Sequence, residues 1–514
     1  MRHRIFVPAA AVTAALLLAI PASAAEPSPG TPGVGDPYYP DYGNGGYDVS
    51  HYDLRLKYQP RNDRLQGTAT LLATATQDLS RFNLDFALDV SEVRVNGKRA
   101  RFATSGAHEL EVTPAKPLAK GQRATVVVRY AGTPSQVKVN GFTSWHRTPD
   151  GGVAANEPEA AWWWFPSNDH PTDKATYDVS VAVPDGTQAI SNGTLQSERS
   201  QAGWTRYAWR SRAPQATYLA TLAVGKFDIT KDTTESGTPV INAYSKELGE
   251  NDGAARASVE RSGEIAEWLE GYFGTYPFEA LGGYVPNTDT SYALETQTRP
   301  FYSPAGFSRG SNASLVVHEL AHQWYGDSVS VNRWKDIWIN EGFATYAQWL
   351  WSEDQGEGTA RELAEYAYDS RPADDAFWTV KPGDPGPDNQ FHRAVYDRGA
   401  MALQALREEI GDKDFFALLK GWPKRHEGGD ASVRDFIGYA EQVSGKKLGK
   451  LFDTWLYTAS KPAAGPTGKS AESAGSAESA GSAKGLRAGV PAQPKSWKKI
   501  QAVQHPEAAG RHRH

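Results

Sequence analysis

The stretch Val317-His318-Glu319-Leu320-Ala321-His322-Gln323-Trp324 decides how this 514-residue chain is interpreted. On a helix, residues four apart lie on one face, so His318 and His322 can bind one metal ion together. Glu319 directly follows the first histidine, and from there its carboxylate can reach a metal-bound water without binding the metal. We therefore predict a catalytic zinc site with Glu319 as the general base.

A second motif, Asn340-Glu341-Gly342-Phe343-Ala344, begins after an interval that leaves 18 residues between His322 and Glu341. The pattern from Asp336 to Trp351 predicts a helix, from which Glu341 can complete a set of two imidazoles and one carboxylate. Three protein ligands leave the fourth zinc position open, which is the arrangement of catalytic rather than structural sites. The sequence therefore predicts one zinc ion per chain.

The composition excludes several classes of protein. The chain contains no cysteine, which excludes disulfides, thiolate metal sites, iron–sulfur clusters and a cysteine nucleophile. Charged residues make up 22% and the formal net charge is -6, so we expect neither a multi-span membrane protein nor a nucleic-acid partner. The length predicts more than one domain, and 16 Trp, 23 Tyr and 18 Phe can fill sizeable cores.

The first 24 residues have the pattern of a secretory signal peptide. Arg2 and Arg4 precede an apolar run over residues 5–20, and Ala22-Ser23-Ala24 is a small-residue cleavage site. The alternative is an uncleaved membrane anchor, but the apolar run is short for a span. We expect a secreted, extracellular mature chain that begins near Ala25 and has no transmembrane span.

The remaining sequence divides into regions of different pattern. Residues 25–46, rich in Gly, Pro and Tyr, are predicted to be an extended lead-in. Residues 47–235 alternate with period two and contain turn signals such as Asn96-Gly97, which predicts an N-terminal β-sandwich domain. Residues 236–460 predict a mostly helical domain, so the fold class is multidomain α+β. The expected helices are 254–273, 311–325, 336–354, 360–369, 396–410, 413–420 and 431–444.

The C-terminal region, residues 461–514, is predicted to be a low-complexity, disordered tail. It contains a repeat of Ser, Ala, Glu and Gly, a composition that cannot bury a core. From Pro466 onwards, eight Lys or Arg residues and three Glu give the tail a charge of +5. A weak contact with an anionic cell envelope is therefore a possible role.

The motifs described above resemble those of the gluzincin aminopeptidases of the aminopeptidase N and leukotriene hydrolase type. The resemblance rests on H-E-x-x-H, the 18-residue interval and N-E-G-F-A, and it covers roughly residues 45–460. It implies an N-terminal β domain followed by a thermolysin-like, mostly helical zinc-peptidase domain. It also implies a zinc metallo-aminopeptidase that acts on peptides with a free N-terminus. Longer members carry a C-terminal helical domain where this sequence has the repeat tail.

The resemblance also implies a catalytic role for a tyrosine. Tyr396, in Tyr396-Asp397-Arg398-Gly399, occupies the position of the tyrosine that stabilises the oxyanion in the family. Arg398 stands where most relatives have lysine, which keeps the positive charge.

Two carboxylates are implied to bind the α-ammonium group of the substrate. The segment Tyr292-Ala293-Leu294-Glu295-Thr296 aligns with the G-x-M-E-N loop of the family, which implies substrate binding by Glu295 and Ala293. Glu157, from the β domain, is implied as the second amine anchor, with Glu159 as the fallback. The changed neighbours of Glu295 leave the shape of the first specificity pocket open.

Other functions on the same scaffold stay open at this point. The zinc site could serve a thermolysin-like endopeptidase or an epoxide hydrolase side activity, as in the leukotriene hydrolase branch; Glu157 and Glu295 argue against the endopeptidase. A non-catalytic binding protein would be expected to have lost the zinc motif, which is intact here.

Overall fold

The computed structural model describes residues 26–139, 141–468 and 491–502. The predicted signal peptide and the repeat of the tail lie outside these residues. Within them, no helix is both long and apolar enough to cross a lipid bilayer. A β-rich N-terminal domain precedes a second domain that carries the helices, so the predicted fold class is confirmed.

The N-terminal domain consists of strands whose inward positions are apolar. The strands are β1 (Ser28–Pro29), β2 (Tyr47–Gln59), β3 (Arg64–Ala75), β4 (Leu79–Asp85), β5 (Asp89–Val95), β6 (Lys98–Arg99), β7 (Arg101–Ser105), β8 (Glu109–Thr113), β9 (Arg123–Gly132), β10 (Trp145–Arg147), β11 (Gly152–Ala154), β12 (Ala175–Pro184), β13 (Gln188–Ser191), β14 (Thr194–Gln201), β15 (Trp204–Gln215) and β16 (Leu222–Gly225). Tyr52, Leu54, Leu56 and Tyr58 of β2 all face the core, as the alternation predicted. The N-terminal domain therefore consists of β-sheets packed around an apolar core.

The strands of this domain form three sheets in the described residues. The largest has the order β14-β15-β12-β2-β3-β9-β5-β6, and two smaller sheets have the orders β1-β4-β8-β7 and β10-β11-β16-β13. The predicted hairpin at Asn96-Gly97 joins β5 to β6, and both turn residues have positive φ, which suits a tight hairpin turn.

The lead-in packs more closely than an extended linker would. β1 pairs in parallel with β4, and the rings of Tyr39 and Tyr42 are buried. The Asp36 carboxylate accepts a hydrogen bond of 2.9 Å from the backbone N–H of Trp334 in the second domain. The lead-in therefore helps to join the two domains.

The second domain begins with a sheet, earlier than the sequence suggested. Its strands are β17 (Phe227–Thr233), β18 (Pro239–Ser245), β19 (Leu281–Val285), β20 (Ala293–Leu294) and β21 (Phe301–Tyr302), in the order β17-β18-β19-β21-β20. A separate pair joins β22 (Ser330–Val331) to β23 (Asp430–Ala431). The predicted boundary at residue 235 lies in the turn between β17 and β18, which pair along their whole length. Strand pairing therefore places the boundary near residue 226.

The helices of the second domain lie close to their predicted positions. They are α1 (Asp252–Val259), α2 (Ser262–Phe273), α3 (Ala313–Ala321), α4 (Trp338–Asp354), α5 (Ala360–Asp369), α6 (Gly399–Ile410), α7 (Asp412–His426), α8 (Val433–Ser444), α9 (Gly449–Phe452) and α10 (Trp497–Gln501). The single helix expected at 254–273 is two helices, and at the break the Ser262 hydroxyl donates to the Val259 carbonyl.

The described end of the tail differs from the predicted disordered extension. Residues 491–502 contain α10, and the side chains of Trp497 and Ile500 are buried against the second domain. A few large apolar residues beyond the repeat are enough to dock this short segment, which the composition of the whole tail did not reveal.

Candidate active site

The three predicted metal ligands meet where α3 packs on α4. Asn312 caps α3, since its side-chain oxygen accepts from the backbone N–H of Leu315. The Nε2 atom of His318 lies 3.2 Å from Oε2 of Glu341, and that of His322 lies 3.4 Å from the same oxygen. All three side chains are almost completely buried. The ligand atoms therefore converge on one point inside the domain.

The His318 ring is held by a residue that the sequence analysis did not identify. Its Nδ1 lies 3.1 Å from Oε1 of Gln348, whose amide nitrogen donates to the carbonyl and the hydroxyl of Ser314. The amide oxygen of Gln348 must therefore accept, which leaves the Nε2 lone pair of His318 directed at Glu341. Gln348 lies two helical turns beyond Glu341, so its place on the same face of α4 could have been predicted.

The His322 ring is oriented by the backbone. Its Nδ1 donates a hydrogen bond of 3.0 Å to the carbonyl of Tyr325, just beyond the end of α3. Nε2 therefore faces the carboxylate of Glu341, from where it can bind a metal ion. This partner could not be predicted, because the chain path after the helix decides which carbonyl comes within reach.

The donor set fits a zinc ion. Two imidazoles and one carboxylate form a catalytic zinc site, and ligands about 2.0–2.2 Å from a tetrahedral ion stand about 3.3–3.5 Å apart. Burial lowers the pKa of His318, which keeps its ring neutral. A neutral imidazole lone pair facing a carboxylate oxygen is repulsive unless a cation lies between them. The arrangement of His318, His322 and Glu341 is therefore that of a metal site.

Glu319 lies beside this set without belonging to it. A carboxylate oxygen of Glu319 is within 4.8 Å of ligand atoms of both His322 and Glu295. Its buried Oε1 accepts no hydrogen bond from the residues that the structure describes. Burial raises the pKa of Glu319 well above its usual value, although the charge on His322 opposes this shift. The raised pKa makes Glu319 a stronger proton acceptor than an exposed glutamate.

Glu295 follows the short strand β20 and faces the same space. Its side chain is buried, and Oε1 accepts a hydrogen bond of 3.2 Å from the Tyr218 hydroxyl of the β domain. Its backbone carbonyl accepts from the Gln323 side chain, next to His322 in the chain. Ala293, the other predicted contact in this segment, starts β20 and is also buried. Tyr218 is a further contact that sequence reasoning missed.

The loop that follows Glu295 is fixed by the β domain. The Asn192 side chain donates to the carbonyl of Gln297, and the backbone N–H of Gly193 donates to the Thr298 hydroxyl, each at 2.8 Å. Thr298 has a φ of 69°, a left-handed conformation that such contacts must maintain. The position of Glu295 therefore depends on both domains.

Glu157, from the β domain, lies within electrostatic reach of Glu295 and Glu341. It is buried, and its pKa is raised by burial first and then by the negative charge of Glu295. Burial and then the charge of Asp85 raise the pKa of Asp169 within the β domain, and the charge of the fallback residue, Glu159, adds to that shift. Glu157 is therefore favoured over Glu159 as the partner of Glu295.

Tyr396 lies in a π-helical turn formed by Ala394–Arg398. Its ring centre is 6.2 Å from that of His318, and the side chain is buried. Burial raises the pKa of Tyr396 well above its usual value, so its hydroxyl remains a hydrogen-bond donor. The turn delays the start of α6 from the predicted residue 396 to Gly399.

Arg398 serves the fold rather than the site. Its guanidinium is buried and donates to the carbonyls of Trp378, Val380 and Thr454.

The tryptophan run at residues 162–164 is likewise completely buried, with Trp162 stacked 4.0 Å from the ring of His108. Both features are packing elements.

Two family descriptions match the chain. Residues 49–219 match the Peptidase M1 N-terminal domain, and residues 302–455 match the Peptidase family M1 domain. Glutamyl aminopeptidase of Sus scrofa is 29% identical over 330 residues, which cover 60% of this chain and 34% of that protein. Glutamyl aminopeptidase of Rattus norvegicus is 26% identical over 462 residues, which cover 82% and 48%. The chain therefore spans about a third to a half of these relatives.

Solved structures match over a larger share of their length. An M1 zinc metallopeptidase from Deinococcus radiodurans superposes with a TM-score of 0.76 at 30% identity, covering 85% of this chain and 99% of that chain. A mutant M1 zinc metallopeptidase from the same organism, bound to a Tyr-Ser-Ala substrate, gives a TM-score of 0.73 at 30% identity, covering 82% and 97%. The two-domain architecture is thus shared over nearly the whole of these structures.

Proposed function

Because the chain belongs to peptidase family M1, we propose that it is a zinc metallo-aminopeptidase that hydrolyses the N-terminal residue from peptides. The observation that carries this proposal is that a buried metal-binding site and a buried pair of carboxylates lie side by side. His318, His322 and Glu341 form a metal site, and Glu157 and Glu295 form a second negative site beside it. The first suits a zinc ion and the second suits a substrate ammonium group.

The residues of the site divide the work of peptide hydrolysis. His318, His322 and Glu341 would hold one zinc ion, which when bound polarises a carbonyl oxygen and lowers the pKa of a coordinated water to about 7. Glu319 accepts the proton of the attacking water and delivers it to the leaving amine. The Tyr396 hydroxyl donates a hydrogen bond to the oxyanion that forms as the carbonyl is attacked.

Glu157 and Glu295 select peptides with a free N-terminus. Burial is costly for a carboxylate and raises the pKa of both residues, and the negative charge of Glu295 adds to the shift of Glu157. A substrate ammonium group offsets this cost through charge-assisted hydrogen bonds, which an internal peptide bond cannot supply. An endopeptidase would need this space to be open and neutral, so the geometry favours the aminopeptidase. The relative solved with a Tyr-Ser-Ala substrate supports a peptide ligand.

Glu295→Ala is expected to lower kcat/KM for an aminoacyl arylamide by tens- to hundreds-fold, because a charge-assisted contact is worth about 1.5–3 kcal/mol. Zinc content should not change, since Glu295 is not one of the three ligands. Acetylating the substrate amine should weaken cleavage by the wild type to a similar extent. The acetylated substrate should then lose little more in Glu295→Ala, because the contact is already gone. Kinetics with both substrates and both proteins measure this coupling.

The paired variants Glu157→Ala and Glu159→Ala test the second anchor. Only Glu157→Ala should show the same coupling to substrate acetylation, because Glu157 interacts electrostatically with Glu295, whereas the Glu159 charge contributes to the shift of Asp169. If the wild type cleaves N-blocked or internal bonds as fast as free-amine substrates, the chain is an endopeptidase instead.

We also propose that the mature chain is secreted, which the signal pattern of residues 2–24 supports. N-terminal sequencing of protein collected from the culture medium should find a chain that begins near Ala25. A chain that stays with the cells and retains residues 1–24 would contradict the proposal. A weak contact of the basic tail with the cell envelope stays a prediction.

A further inference from the structure

Residues 491–502, here called the docking segment, contact the elements that carry the zinc ligands and the element that carries Tyr396. We propose that this segment is a positioning element for Tyr396, with Gln501 as its positioning residue. The inference deepens the proposed function and rests on it, since it assigns a purpose to the contacts around a tyrosine that the proposal places in the reaction. The contacts fall into three groups.

An apolar anchor holds the docking segment on the second domain. The Trp497 ring packs edge-on against Tyr366 of α5, with ring centres 5.1 Å apart. Ile500, one helical turn later, is 1% exposed. A helix of five residues is too short to be stable alone. Burial of these two large side chains therefore holds α10 on the second domain.

Polar contacts tie the docking segment to the two ligand helices. The carbonyl of Lys499 accepts from the side-chain amide of Asn312, the residue that caps α3. The hydroxyls of Ser496 and Ser352 are 2.6 Å apart, and Ser352 lies in the last turn of α4. The segment therefore contacts both the start of the helix with His318 and His322 and the end of the helix with Glu341.

A third contact reaches the π-helical turn. The Gln501 side-chain amide lies 3.3 and 3.4 Å from the two carboxylate oxygens of Asp397. Asp397 is completely buried and also accepts from Arg371 at 2.7 Å and Arg393 at 2.9 Å. Asp397 adjoins Tyr396 in the chain, so Gln501 completes the set of donors that fixes the backbone next to this tyrosine.

These contacts matter because a π-helical turn is less regular than an α-helix and is often found at functional sites. The position of the Tyr396 hydroxyl relative to α3 and α4 therefore depends on contacts from outside the turn. The Tyr396 hydroxyl must be placed accurately, because a displacement of a catalytic group by about 1 Å can lower the rate about a hundredfold. One segment that touches α3, α4 and Asp397 is suited to fix all three together.

The test uses full-length chains that carry Trp497→Ala or Gln501→Ala. Lys498→Ala is the matched control, because Lys498 lies on the exposed face of the same helix. Both test variants should lower kcat by about threefold to thirtyfold, with KM and zinc content unchanged, as expected for coupling through a contact network. Amide hydrogen exchange at residues 394–398 should be faster in both variants and unchanged in Lys498→Ala.

Combination with Tyr396→Phe separates positioning from a general loss of stability. When the hydroxyl is absent there is nothing left to position, so Trp497→Ala should cause little further loss of kcat in that background. Fully additive losses, or unchanged exchange at residues 394–398, would overturn the proposal. So would a Trp497→Ala protein that melts earlier yet keeps the wild-type kcat per folded molecule. A fully active Tyr396→Phe protein would instead refute the catalytic role of Tyr396, whatever the exchange data show.

Discussion

Glu319→Gln is expected to lower kcat by at least ~10², while the protein keeps one zinc ion per chain. The amide is nearly the same shape as the carboxylate, so packing around this buried position should survive. The lost property is basicity: Gln cannot accept the proton of the attacking water or deliver it to the leaving amine. Steady-state kinetics and metal analysis of the same preparation measure both quantities.

Glu341→Gln provides the matched comparison for this variant. It makes the same chemical change in a carboxylate that is equally buried, but at a position that contacts both imidazoles. Its zinc content should fall, whereas that of Glu319→Gln should not. An active Glu319→Gln enzyme would mean that another group deprotonates the water.

The metal site could be predicted almost completely because its geometry is local. The spacing of His318 and His322 fixes their shared face on α3, and a capped helix needs nothing from the rest of the chain to form that face. Glu341 required a second helix to pack on the first, which the sequence predicts only through its motif. Gln348 follows from the same helical repeat, since it lies on the face of Glu341.

The second acidic site could be predicted only through the family resemblance. Glu157 and Glu295 are 138 positions apart in the chain, and nothing in their local sequence specifies that they meet. Their meeting depends on long-range contacts such as those of Asn192 and Gly193 with the loop after Glu295. Local patterns contain no information about such contacts, which also explains why Tyr218 was missed.

The domain boundary and the docking segment could not be predicted for a related reason. β17 alternates like the strands before it, and only its pairing with β18 assigns it to the second domain. The docking segment follows a repeat whose composition indicates a solvated chain, and Trp497 and Ile500 are too few to alter that average. In both cases the structure depends on the surface that the segment packs against, which is β18 for β17 and the second domain for the docking segment.

His322→Ala is expected to abolish metal binding and activity together. The substitution leaves His318 and Glu341, and two ligands make a far weaker zinc site than three. The backbone should keep its course, since Ala favours helix and His322 lies at the end of α3. Metal analysis after dialysis should find about one zinc per chain in the wild type and close to none in the variant.

Thermal unfolding gives a second measure of the His322→Ala prediction that does not depend on activity. An ion that binds only the folded chain stabilises it, so removing zinc with a chelator should lower the Tm of the wild type and restoring zinc should recover it. The same treatments should leave the Tm of His322→Ala unchanged. His426→Ala serves as the control, because that histidine lies on α7 outside the three-ligand cluster and its variant should respond to zinc like the wild type. Full zinc occupancy in His322→Ala would show that the ion is held by other groups, and the assignment of all three ligands would then be wrong.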